Sequence, residues 1–170
     1  MFKTSDAVVV TAIAGGGGAG AIVDLWSRRV PNALTLGLAA VGMTLAAIGV
    51  SGLSLTAAAA GFVIGLALML PGHLVGATGA GDVKLLAAAG TLLGPGGVVA
   101  AFLYAAIAGG ILALIVARRR RVLGATVERA AALVRIRAGT VAAIEHAATD
   151  NRFAYAPAIA IGALAAALGW

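Results

Sequence analysis

From Val83 to Ala117 the only charged side chain is Lys84. A run that apolar has few places to go, because crossing a bilayer as a helix takes roughly 17–25 mostly apolar residues and leaves no backbone group unsatisfied. Further runs cover residues 7–23, 33–50, 57–75 and 154–170, and GPGG at 94–97 divides the long one into 83–93 and 98–117. Apolar residues make up 62% of the 170 and mean hydropathy is +1.07, against about 45–50% apolar content in soluble domains. The expectation is an all-α, polytopic membrane helix bundle of about six transmembrane helices, built as a single membrane-embedded domain over residues 1–170. The run 83–93 is short for a span, rising about 16 Å as a helix, so it must extend into its flanks or be covered by protein at one end.

Charge placement gives orientation. Arg28 and Arg29 follow the first run and Arg118 to Arg121 follow the fifth; basic clusters beside spans mark the cytoplasmic side. Lys3 and the AGA at 19–21 imitate a secretory signal, but the stronger positive charge after the run favours a retained first helix that begins outside. Residues 118–152 carry Arg118 to Arg121, Arg129, Arg135, Arg137 and Arg152 among Val122, Val127, Leu133 and Ile136. That pattern predicts an amphipathic segment on the cytoplasmic membrane face, with lipid as its partner. The net charge of +6 serves orientation and anionic lipid, and nucleic acid is not an expected partner.

Several chemistries lack their residues. There is no cysteine, His73 has no acid or second histidine at helical spacing, and His146 has only Asp150, four residues on, so no metal and no cofactor is expected. Gly15 to Gly20 contain G-x-G-x-x-G, but no strand precedes them, and small residues in lipid serve helix packing. Trp170 and Tyr155 are expected at the interfaces as anchors.

Two of the six acids, Asp24 and Asp82, remain as candidates, and topology brings them to one side. With Arg28 and Arg29 inside, the second span leaves, the third returns, and residues 76–84 lie inside. Asp24 and Asp82 then both stand at the inner end of an apolar run. A carboxylate in a helix centre costs roughly 2.5–3.5 kcal/mol on insertion scales, so intramembrane acids are rare and usually functional. Structural readings exist for each: a salt bridge from Asp24 to Arg28, and an N-cap by Asp82. Neither accounts for Gly76, Gly79 and Gly81, which allow positive φ or close approach of another chain. Two carboxylates in a site of low polarity do not readily both ionise, so one keeps a proton while the other is charged. An acid and a base side by side can hydrolyse an amide. The alternative use is a small membrane transport protein in which the pair relays protons or a cation.

Three stretches resemble the type IV prepilin peptidases, the GxGD-type intramembrane aspartyl proteases, in their short form serving Flp or tight-adherence pili: DLWSRRVPN at 24–32, GAGDVK at 79–84 and YAPAIAIG at 155–162. The resemblance implies a multi-pass protein of the bacterial inner membrane that cuts the basic leader from a pilin or pseudopilin precursor at the cytoplasmic face. It implies Asp24 and Asp82 as the catalytic pair, with Gly79 and Gly81 shaping the loop that presents Asp82. Lys84, Arg29, Pro31 and Asn32 are implied as supporting or substrate-binding positions, although Lys84 can equally be an anchor at the interface. Longer members carry a cysteine-bearing cytoplasmic segment linked to methylation of the new N-terminus. This chain has none, which implies cleavage without methylation. Nothing in the sequence bears on oligomeric state.

Overall fold

A computed structural model describes residues 4–27, 29–74, 76, 78–119 and 155–169. All its regular structure is helical: α1 Thr4–Ser27, α2 Asn32–Ala47, α3 Leu55–Leu74, α4 Ala80–Arg119 and α5 Ala156–Ala167. Three stretches are long and apolar enough to cross a membrane, Asp6–Ser27, Leu55–Leu74 and Ala80–Ile115, and α2 and α5 are shorter apolar helices. Most of the amphipathic segment expected at 118–152, together with Trp170, lies outside the described residues.

The count of six helices is not reached among the described residues, where there are five. The reason is Gly94. Its φ of 69° and ψ of −176° break α4 in a region of backbone space that is essentially glycine's alone. Pro95 follows at the first position of the next limb, where its missing N–H costs no hydrogen bond. The division expected at 94–97 is therefore a one-residue break, with limbs 80–93 and 95–119.

Neighbouring contacts fix the direction of each limb. Gly61 lies against Gly90 and Gly65 against Ala87, so α3 runs antiparallel to limb 80–93. Gly17 lies against Ala160 and Asp24 against Ala156, so α1 is antiparallel to α5; Gly20 lies against Leu85 while Asp24 lies near Asp82, so α1 is antiparallel to limb 80–93 as well. Tyr155 meets Gly109 while Gly162 meets Ala101, which sets α5 antiparallel to limb 95–119. Chained together, these make the two limbs of α4 an antiparallel hairpin. Limb 80–93 is its buried arm: Leu85, Leu86, Ala87, Ala88, Ala89, Thr91 and Leu92 are all buried, around the whole circumference of the helix. The short apolar run is thus covered by protein on every side, and it extends back to Ala80.

Local chemistry sets the other boundaries. The second apolar run continues to Val50, yet α2 stops at Ala47, because Gly49 takes φ 75° and closes the helix. The Val50 N–H donates to Leu45 O at 2.9 Å and the Gly49 N–H to Ala46 O at 3.1 Å, the two bonds of a Schellman motif. Ser54 caps α3, its Oγ accepting from the Ala57 N–H at 3.1 Å. Pro31 precedes α2 in extended conformation, φ −62° and ψ 138°. Its carbonyl accepts from the Leu34 and Thr35 N–H groups at 3.1 and 3.3 Å, so it caps the helix from outside the first turn. Outward-facing Leu36, Val63, Leu103, Ile107 and Ile161 are exposed, the apolar girdle that a lipid-embedded bundle presents.

Candidate active site

The end of α1 and the starts of α2, α4 and α5 gather at one end of the bundle. Asp24, one turn before the end of α1, is 6% exposed, and Asp82, in the first turn of α4, is also 6% exposed. The two carboxylates lie within Coulombic reach of one another, although 58 positions separate them. The topological expectation that they share one side and one depth agrees with this arrangement.

Asp82 is held by its own helix, but not as an N-cap. Gly79 occupies the cap position: its carbonyl accepts from the Asp82 and Val83 N–H groups at 3.1 and 3.3 Å. Asp82 is the third residue of the helix and reaches back, Oδ2 accepting from the Gly79 N–H at 3.1 Å. This is the reciprocal half of a capping box. It fixes the carboxylate while leaving its other oxygen, Oδ1, outside that bond.

The glycines of this loop act differently from one another. Only Gly76 takes positive φ, 75°. A methyl at Gly79 would stand 3.2 Å from Asp82 Oδ2, so the absent side chain there makes room for the carboxylate itself. Gly81 is the site of close approach: a Cβ there would lie 2.9 Å from Val30 Cβ and 3.2 Å from Val30 N. Buried Val30 thus presses the segment between α1 and α2 onto the helix turn bearing Asp82. This is the physical link between the stretches 24–32 and 79–84.

A second link lies one turn outward. The Lys84 ammonium donates to Asn32 Oδ1 at 2.9 Å, tying α4 to the first turn of α2. Lys84, Asn32, Pro31 and Arg29 are all exposed, at the same end of the bundle as the buried acids. Arg28, the proposed salt-bridge partner of Asp24, lies outside the described residues. His73, at the end of α3, packs the loop ahead of Asp82, its Nδ1 3.0 Å from Thr78 O.

Asp24 is met from the far end of the chain. The Ala156 N–H, at the start of α5, lies 3.4 Å from Asp24 Oδ2, a long hydrogen bond. Tyr155 stands beside it, half-buried, donating its hydroxyl to Ala105 O at 3.2 Å and lying within Coulombic reach of Asp82. Expected only as an interfacial anchor, Tyr155 borders the acid pair. The signal available in the sequence was Pro157, which marks residues 155–157 as a helix start and so places unpaired N–H groups there.

Two buried carboxylates beside two helix N-termini can be charged one at a time, the other keeping its proton. No curated protein and no solved structure matches this chain. The model of the type IV leader peptidase family matches residues 12–114, more than half of the chain, and that stretch contains both acids, Arg29 to Asn32 and Gly79 to Lys84. The chain belongs to the type IV leader peptidase family.

Proposed function

We propose that the chain is a membrane aspartyl endopeptidase that removes the basic leader from type IV pilin-like precursors at the cytoplasmic face of the bacterial inner membrane. Asp24 and Asp82 are its catalytic pair. The observation that carries this reading is that two buried carboxylates, from the end of α1 and the start of α4, lie within Coulombic reach of one another in a member of a leader peptidase family. With limbs 80–93 and 95–119 counted as separate crossings, the bundle crosses six times within one membrane domain, and the acids face the side marked by Arg29 and Arg118.

Hydrolysis then needs one proton and one water. The charged carboxylate takes a proton from water as the oxygen adds to the scissile carbonyl carbon, and the protonated partner hydrogen-bonds and then protonates the carbonyl oxygen. In the tetrahedral diol the acid that took the water proton gives it to the nitrogen, the other takes a proton back from a hydroxyl as C=O re-forms, and the C–N bond breaks, giving a free amine and a carboxylic acid. Each acid serves once as donor and once as acceptor, so the pair returns to its starting state. Gly79 and Gly81 seat Asp82. Asn32 and Lys84 brace the two helix starts, and Arg29 and Pro31 shape the approach. No cofactor takes part, and the new N-terminus leaves unmethylated.

The test is reconstitution of the purified chain in lipid with a pilin precursor and a sulfonium methyl donor, S-adenosylmethionine, following the leader by gel shift and the product by mass. The expected result is a shortened pilin with an unmodified N-terminus. A methylated product would overturn the narrower claim. An intact precursor would overturn the protease reading and return the acids to proton or cation relay.

A further inference from the structure

The contact between Ala156 and Asp24 comes from outside the residues that the family model matches, since α5 begins beyond residue 114. A helix start carries unsatisfied N–H groups and a positive dipole end. Pro157 has no N–H, so the donor that reaches Asp24 is supplied by Ala156. What fixes the aim of this helix end decides how well Asp24 is held.

The usual fixing device is absent. Tyr155 is the N-cap residue, in helical conformation at φ −91° and ψ −17°, and its own side chain makes no cap hydrogen bond. The Tyr155 hydroxyl instead donates to Ala105 O, 50 residues away on limb 95–119. Its ring fills the space left by Gly109, where a Cβ would stand 3.0 Å from both Cζ and Oη. About two turns further along, Gly162 lets the α5 backbone lie directly on limb 95–119, where a Cβ would stand 2.9 Å from Ala105 Cα.

The geometry points to Tyr155 as a positioning residue: its hydroxyl latches the start of α5 onto limb 95–119 and thereby holds the Ala156 N–H against Asp24. The active site is then built from three helix ends, and the third is supplied by a part of the chain beyond the family match. This assignment rests on the protease reading for its kinetic consequence, but not for its structural one.

Tyr155→Phe keeps the ring against Gly109 and removes only the hydroxyl. A reporter for seating is available because the chain has no cysteine. A Cβ at Gly17 would lie 3.4 Å from Ala160 Cβ, close to the roughly 3.5–4.5 Å that a disulfide requires. Gly17→Cys with Ala160→Cys should therefore crosslink α1 to α5 on oxidation. The expected result is that Tyr155→Phe slows crosslinking severalfold. With a pilin precursor it should lower kcat roughly tenfold and leave KM within about twofold. Oxidising the cysteine pair in the Phe background should restore most of kcat, and reduction should remove the gain.

Unchanged crosslinking would overturn the latch, as would unchanged kcat in a chain that cleaves. A kcat loss that the disulfide does not restore would also overturn it, because the hydroxyl would then act on the reacting atoms. Should the native chain cut nothing, the protease reading fails, while the crosslinking arm still decides the latch.

Discussion

Gly81→Ala separates positioning from folding more sharply than any other single change. The new methyl would stand 2.9 Å from Val30 Cβ, where carbon atoms rest at about 3.5–4.0 Å. Val30 Cβ is bonded to backbone and cannot swing aside, so the first turn of α4 must retreat by about 1 Å. Asp82 is the next residue and travels with it. A displacement of that size at a reacting group can cost about 10²-fold in rate, equivalent to roughly 2.7 kcal/mol of barrier.

Stability should suffer much less. Overpacking costs about 1–3 kcal/mol, and replacing glycine by alanine within a helix returns up to about 1 kcal/mol. The assay pairs the precursor-cleavage rate in lipid with a thermal melt of the same preparation. The expected outcome is a loss of about two orders of magnitude in kcat with most of the protein folded at the assay temperature. A cleavage rate within threefold of native would refute the close-approach argument. So would a loss of activity matched by an equal loss of folded protein.

Other perturbations test the frame around the site. Gly61→Ala sets a methyl against the carbonyl of Gly90 on the facing helix, 2.9 Å from its carbon, and should destabilise the bundle by about 1–3 kcal/mol. Gly37→Ala, where the methyl meets nothing within 4 Å, should be neutral or stabilising in the same melt. Gly94→Ala forces a side chain into φ 69° and should cost about 1–3 kcal/mol, with a fall in melting temperature as the readout. Lys84→Met removes the bond to Asn32, but both residues are exposed. Cleavage should therefore fall less than about tenfold, and abolition would assign Lys84 to the reaction itself.

The contrast between what the sequence disclosed and what it withheld follows the range of the interactions. Helices and the shared side of the acids follow from apolar runs and basic clusters, which act through the solvent and need no knowledge of neighbours. Ends were missed where a few backbone bonds decide. Ile48 and Val50 are as apolar as the helix before them, yet Gly49 closes α2 ahead of them. Asp82 precedes an apolar helix and so resembles an N-cap, but Gly79 can occupy the cap and leave the acid one step inside. The purpose of Gly81 became visible only with Val30 against it. Tyr155 was missed because its partners lie 50 residues away at Ala105 and, through Ala156, 132 residues away at Asp24. No local pattern encodes either distance.

The central claim is that Asp24 and Asp82 work as one unit. Its most direct test measures precursor cleavage by Asp24→Asn, Asp82→Asn and the double variant, each reconstituted in lipid and shown to be folded. Groups that act together are strongly non-additive on removal. The account predicts that each single change abolishes cleavage and that the double variant is no worse than either. Substantial cleavage by either single variant, or losses that multiply in the double, would contradict it.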